Sequence, residues 1–255
     1  KEGDIIGMDG WVNGIDFKES LYEACSPKGI QVKSVTDPFD EIWEDRPALP
    51  SEPVFILEEK YAGLSCRKKI ELIREEIHKN NCQSILLSAL DEIAWTLNLR
   101  GSDVHCNPVF IRHITQKEAT LYIIEEKLSP EVKTYLEENG VTIKSYNKIE
   151  SDIKNVRQNI QVSPTLNMKL FNAAGYPSSH GIDTGHKIME IPSPVSLLKA
   201  VKNETEINGF RHAMERDGIA MVKFLKWLKE AVPAGNESEL SVDRKLYELR
   251  AEQAN

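Results

Sequence analysis

Between Ser84 and Phe110 the chain carries a stretch that leaves few folds open to it. Ser84-Ile85-Leu86-Leu87-Ser88 is a short apolar run of strand length, and Asp91 then opens a short amphipathic segment with Ile93, Ala94 and Leu97 facing inward. That segment stops abruptly. Arg100-Gly101-Ser102-Asp103 joins a long cation, a residue free to take positive φ and two short hydrogen-bonding side chains, which is turn chemistry at the end of a strand. Pro108 after Asn107 forces extended backbone into a second strand, Val109 to Ile114. In open α/β sheets the loops beyond strand ends are where ligands and partners are met, which makes Asn98, Arg100 and Asp103 the candidate site residues.

The rest of the chain repeats the alternation. Ile5 to Asp9 reads as a strand, Asp16 as the cap of a helix bearing Phe17, Leu21 and Ala24, Pro27-Lys28-Gly29 as its stop, and Ile30 to Val35 as the next strand. Asp37-Pro38 starts a short helix with Phe39, Ile42 and Trp43. Arg46 to Pro53 then holds three prolines in eight positions, a stiff linker and a domain boundary. Ser65 caps a helix bearing Ile70, Ile73 and Ile77 that stops at Asn80-Asn81. After the organising stretch, Val109 to Ile114 and Ala119 to Ile124 form two antiparallel strands. Ser129-Pro130-Glu131 opens a helix ended by Asn139-Gly140, and Val141 to Ser145 and Asn159 to Val162 are further strands. Asn167 to Ala174 is a helix stopped at Gly175-Tyr176-Pro177. The expected fold class is therefore α/β, a mixed sheet flanked by helices.

From Ser196 the pattern becomes helical. Ile207, Phe210, Met214, Met221, Leu225, Leu228 and Val232 form one apolar stripe behind the first-turn acid Glu204, Pro233-Ala234-Gly235 ends that helix, and Ser238-Glu239 begins another expected to run to Asn255. If the domain that this helix belongs to is truncated, the stripe is exposed. The opening on Lys1-Glu2-Gly3-Asp4 and the close inside a helical pattern both read as a piece of something longer.

A formal net charge of −8 argues against a general nucleic-acid or anionic-membrane binder, which needs a basic surface. No apolar run approaches transmembrane length. Cys25, Cys66, Cys82 and Cys106 are widely spaced in ordinary contexts, which fits reduced thiols and a cytoplasmic protein.

Several constellations tempt a chemical reading. His180, Asp183 and His186 could supply nitrogen and oxygen ligands to zinc or manganese, but they lack the i, i+4 spacing, and Gly181, Gly185 and Pro177 describe a turn-rich loop. Cys82, His105, Cys106 and His113 contain no zinc-knuckle spacing. There is no nucleophile elbow and no phosphate-binding glycine loop. Asp91 and Glu92 are adjacent and point about 100° apart on a helix, so they suit capping better than a shared proton. Arg100 and Asp103 would, at the least, brace their loop.

The residues from Leu90 to Phe110, written LDEIAWxLNLRGSDxxxNPVF, closely resemble the middle domain of Xaa-Pro aminopeptidases (aminopeptidase P) in their long three-domain form, within the creatinase/prolidase superfamily. Asp40 to Pro47, Ser193 to Asn203 and Glu204 to Gly235 resemble, in the same order, the end of the first domain, the approach to the catalytic domain and that domain's first long helix. The resemblance implies three parts: residues 1–58 as the end of a first creatinase-N-like α/β domain, 59–192 as a complete middle domain of that type, and 193–255 as the start of a truncated pita-bread domain. It also implies a parent enzyme that cuts before a penultimate proline using two divalent metals, usually manganese, with a bridging hydroxide as nucleophile. That family's ligands, two aspartates, one histidine and two glutamates, lie beyond the point matching Asn255, so no catalytic or metal residue carries over onto this chain. It would serve as a non-catalytic scaffold, inactive alone, in a cytoplasmic and homodimeric parent with proline-containing peptides as substrates and no nucleic-acid or membrane partner. A prolidase, a creatinase or a non-catalytic binding or dimerisation module are the alternatives.

Overall fold

The computed structural model describes residues 1–253 except 36, 41, 106, 108–112, 116–118 and 176–186, and for 113–115 it describes the backbone alone. In chain order the elements are β1 (Ile5–Asp9), α1 (Ile15–Cys25), β2 (Gln31–Val35), β3 (Phe55–Ile56), α2 (Glu59–Ala62), α3 (Cys66–Lys79), β4 (Ser84–Leu87), α4 (Leu90–Leu97), β5 (Leu99–Arg100), β6 (His113–Thr115), β7 (Thr120–Ile123), α5 (Pro130–Glu138), β8 (Thr142–Ser145), α6 (Ile149–Ile153), β9 (Ile160–Val162), α7 (Met168–Ala173), β10 (Ile188–Glu190), α8 (Pro194–Ala200), α9 (Glu204–Ala234) and α10 (Glu239–Ala251). They form two compact units. One holds residues 1–59 with 64–201, the other 60–63 with 202–255.

The first unit is built on a six-stranded mixed sheet in the order β10-β9-β4-β6-β7-β8. β4, β9 and β10 run parallel, β6 is antiparallel to both β4 and β7, and β8 is parallel to β7. Side chains alternate across a strand, so neighbouring residues feed opposite layers. Ile85, Leu87, Leu121 and Ile123 join a core with Ile70, Ile73 and Ile77 of α3, Ile93, Ala94 and Leu97 of α4, Val132 and Leu136 of α5 and Val195 of α8. Leu86, Tyr122, Ile160 and Val162 face the other way, into a core with α6, α7, Met8 and Ile15. Gln161, buried on the opposite side of β9 from Ile160 and Val162, has both ends of its amide satisfied: its oxygen accepts from Asn80 at 3.0 Å and its nitrogen donates to the Pro192 carbonyl at 3.1 Å.

β1 and β2 pair in parallel with α1 between them in sequence, the expected βαβ unit. It joins the sheet through backbone bonds to the segment around α7: Ile15 N to Leu166 O at 3.0 Å, Met168 N to Asn13 O at 2.9 Å and Lys169 N to Gly10 O at 2.8 Å. Gly10 suits the close approach there, because a Cβ would stand 2.6 Å from Ser34 Oγ and 3.3 Å from Lys169 N.

The caps read from sequence hold at Ser65, Ser129 and Ser238, whose hydroxyls accept from Lys68 N, Val132 N and Ser241 N. Other local expectations need correction. Asp16 lies in the first turn of α1, after the cap residue Gly14, and Phe17 is exposed, because Ile15 and Cys25 are the residues turned inward. The helix expected over Phe39, Ile42 and Trp43 is a set of turns, with Trp43 N bonded to Phe39 O and the three side chains exposed. α8 begins at Pro194, two residues before Ser196, capped by Ser193. α10 ends at Ala251. β3, α2, β5 and α6 were not legible at all, each being five residues or fewer and too short to show a period. The strand expected over Val109 to Ile114 lies outside the described residues at 109–112, and its end appears as β6.

In the second unit α9 and α10 pack through Ala220, Phe224 and Leu249, with Trp227, Leu228, Val242 and Leu246 at the edges. A capping box at Asn203 and Glu206 starts α9, and Gly235 at φ 73° ends it. Of the expected stripe, Ile207, Met221 and Leu228 are partly covered, whereas Phe210, Met214, Leu225 and Val232 are exposed.

Candidate functional site

The organising stretch folds as a strand, a helix and a return strand. α4 is buried on every side from Glu92 to Leu97, which is why its sequence is apolar beyond a single stripe. It ends at Asn98, which takes φ 51° and ψ 39°, the left-handed conformation that asparagine tolerates better than most residues. Asn98 is 1% exposed and ties four segments together. Its Oδ1 accepts from Lys69 Nζ of α3 at 2.6 Å, its Nδ2 donates to Leu64 O at 2.8 Å, and its own carbonyl accepts from Leu57 N at 2.7 Å. Lys69, also 1% exposed, donates to the Trp95 carbonyl at 3.0 Å with its ammonium 4.3 Å from the centre of the Trp95 ring. Tyr135 Oη donates to Leu97 O at 3.2 Å, and burial pushes its phenol well above the usual range.

β5 leaves this hub and pairs antiparallel with β3. Arg100, half-buried, donates through Nη1 to the carbonyls of Ala94 and Leu99, both at 2.8 Å. Its guanidinium thereby closes the C-terminal end of α4, where carbonyls are left over. Asp103 lies beyond. Lys127 Nζ reaches its two carboxylate oxygens at 2.5 and 2.6 Å, and both side chains are fully buried. The Lys127 carbonyl in turn accepts from Val54 N at 3.0 Å, so the ion pair anchors the strand that partners β5. An exposed turn follows, in which Asn107 N bonds Val104 O at 3.1 Å and His105 is exposed.

At the other end of α4 the two first-turn carboxylates hold α8. Asp91 pairs with Lys199, and Glu92 Oε1 accepts from Ser196 Oγ at 2.6 Å. Burial raises the Asp91 carboxyl, but the hydrogen bond and charge of Lys199 outweigh it and leave the group below its ordinary value, with backbone N–H groups of its own first turn assisting. Capping is thus only part of what Asp91 does.

Of the three candidate residues, then, Asn98 and Asp103 have buried polar ends with inward partners and Arg100 is half-buried. Lys69 and Lys127 were missed, and Glu92, read from sequence as a capping residue, receives the Ser196 hydroxyl of α8 instead. Lys69 had a signal, since with Cys66, Ile70, Ile73 and Ile77 it falls on the inward phase of α3. Lys127 had none, because a charge beside apolar residues reads as a surface position.

Among the described residues no three His, Cys, Asp or Glu side chains converge as a metal site. Cys82 is wholly buried in the apolar core, His105 is exposed, Cys106 lies outside the described residues and the side chain of His113 is not described. His180, Asp183 and His186 also lie outside them. Cys25, Cys66 and Cys82 are free buried thiols, and burial pushes Cys66 up to about 12. Among the described residues no helix is long and apolar enough to cross a membrane.

Residues 45–206 match the family described as creatinase/prolidase N-terminal domain. Over 264 residues the chain is 34% identical to a protein of Botryotinia fuckeliana named "Probable Xaa-Pro aminopeptidase P", covering 100% of this chain and 40% of that protein. A protein of the same name from Sordaria macrospora is 38% identical over 238 residues, 89% of this chain and 39% of its own length. The crystal structure of an X-prolyl aminopeptidase from Caenorhabditis elegans, described as a cytosolic enzyme with a di-nuclear active site, superposes with a TM-score of 0.87 at 28% identity over 98% of this chain and 42% of that one. An Xaa-Pro dipeptidase from Bacillus anthracis, at 18% identity and a TM-score of 0.53, shares the fold. The chain spans about 40% of the length of the curated relatives it matches. With a family match over most of its length, this chain belongs to the creatinase/prolidase N-terminal domain family.

Proposed function

We propose that this chain is the N-terminal portion of a metal-dependent Xaa-Pro aminopeptidase, which removes the residue preceding a penultimate proline, and that it supplies scaffold and substrate access, not chemistry. The observation that supports this most is likeness along nearly its whole length to the X-prolyl aminopeptidase with a di-nuclear site. The described residues do not fit the two metals, having no converging ligand set, so we assign the ions, manganese by preference, to sequence matching the relatives beyond this chain. In this reading residues 1–58 close a first domain, 59–192 form the middle domain and 193–255 begin the catalytic domain. The parent acts on proline-containing peptides as a cytoplasmic homodimer.

Asn98 and Asp103 serve the reading by fixing the shape of the loop, and Arg100 by holding the end of α4 and the start of the loop where a peptide or a neighbouring domain would pass. The whole protein with excess manganese should hydrolyse an Arg-Pro-Pro peptide, and this chain alone should not. Turnover by the chain alone would overturn the assignment of the metals. In the whole protein Arg100→Lys should raise KM at unchanged melting temperature. If Arg100 only closes α4, the substitution should cost about 1 kcal/mol or less of stability and leave the kinetics alone.

A further inference from the structure

A cleft of about 430 Å³ opens at the C-terminal ends of β4 and β9, lined among others by Ser88, Asp91, Glu92, Ser163, Thr165 and Ser196. Its place in the sheet is significant. β4 and β9 are adjacent and parallel, yet β4 leads into α4 on one face of the sheet while β9 leads into α7 on the other. Where neighbouring parallel strands send their connections to opposite faces the backbone parts, and α/β proteins bind ligands in the crevice that results. No part of the reading of Asn98, Arg100 and Asp103 uses this cleft.

The unusual group in its wall is Glu92. The residue is 6% exposed, and among the described residues its carboxylate accepts one hydrogen bond, on Oε1, from the neutral hydroxyl of Ser196 at 2.6 Å. Among the described residues it has no ion-pair partner, since Lys199 is engaged by Asp91. A carboxylate so deeply buried ordinarily faces a cation. Besides the carboxylates the walls combine apolar residues such as Ile85, Leu87 and Pro192 with hydroxyls that can donate or accept, Ser163 Oγ and Thr165 Oγ1 standing 2.9 Å apart.

These features select the ligand. An anion is disfavoured by Asp91 and Glu92 together, because both carboxylates sit on the first turn of α4 and offset its positive end. A divalent metal would want more charged ligands than the two present. We propose that the cleft binds the ammonium group of a small hydrogen-bonding amine, with Glu92 as its counter-ion and the hydroxyls of Ser88, Ser163 and Thr165 around its polar remainder. The site is separate from the peptidase chemistry proposed above and does not depend on it.

The test uses the 255-residue chain, labelled with nitrogen-15, titrated with glycinamide and separately with N-acetylglycinamide, which keeps the amide and removes the positive charge. Glycinamide should shift the backbone amides of Ser88, Thr165 and Ser196 saturably, N-acetylglycinamide should not, and Glu92→Gln, which keeps an acceptor for Ser196, should weaken binding about tenfold or more. Absence of saturable shifts, equal response to both compounds, or unchanged affinity in a folded Glu92→Gln protein would each overturn the proposal. Should that variant fail to fold, the comparison of the two compounds on the unaltered chain decides.

Discussion

α3 and α9 are written in the same code, an apolar residue every three or four positions, and they end in opposite environments. Ile70, Ile73 and Ile77 of α3 are at most 3% exposed, whereas Phe210, Met214 and Leu225 of α9 are 57%, 66% and 53% exposed. The difference lies in what surrounds them. α3 packs on a sheet that the same unit supplies, while within its own unit α9 packs, among the described residues, on α10, which covers the face carrying Ala220 and Phe224. Periodicity names a face. It does not name what covers that face.

The sharpest way to break this contrast is at the buried charges of the first unit. Asp103→Asn would leave the Lys127 ammonium in the interior against an amide, and we expect a loss of about 3–5 kcal/mol in urea unfolding. A loss below about 1 kcal/mol would place the pair with surface ion pairs and undo the description of Asp103 as an anchor. Next in size is a matched pair of truncations. Ile73→Ala should cost about 2–5 kcal/mol and Met214→Ala no more than about 0.5 kcal/mol, both from denaturant midpoints at constant slope. Similar costs at the two positions would mean that the α9 stripe is covered in solution, by another copy of the chain if light scattering shows a dimer.

A smaller effect should appear with pH. Asp152 accepts from Lys144 Nζ at 2.6 Å and from Tyr122 Oη at 3.0 Å, joining α6 to β8 and β7. The Lys144 bond, against some burial and with help from Tyr122, holds its carboxyl below the ordinary value. A depressed carboxyl stabilises the fold above its unfolded value of about 4, and that contribution is lost as pH falls through the folded value. The melting temperature of Asp152→Asn should therefore lie below that of the unaltered chain at neutral pH, and the gap should close in acid. A gap that persists unchanged in strong acid would show that the contact works by packing and not by charge.

Local rules explain what the sequence made legible. Hydroxyl caps at Ser65, Ser129 and Ser238, the left-handed stops at Gly140 and Gly235, and the alternation through β4 and β7 all act within a few residues, so the string of residues carries them directly. The segment from Leu90 to Asp103 was likewise legible as a helix ending in a turn, because α4 is bounded by local signals at both ends.

What only the tertiary structure decided are the pairings across long sequence separation. Nothing near Asn98 announces that Lys69 will meet it from 29 residues away, that Lys127 will meet Asp103 from 24, or that Ser196 will reach Glu92 from 104. The spacing of α3 turns Lys69 inward but names no partner for it, Lys127 reads as a surface position, and each of these side chains is inward because the chain closes around it and supplies a partner. The direction in which a helix turns its apolar face is readable from spacing, whereas the burial of a charge depends on a partner that folding alone brings within reach.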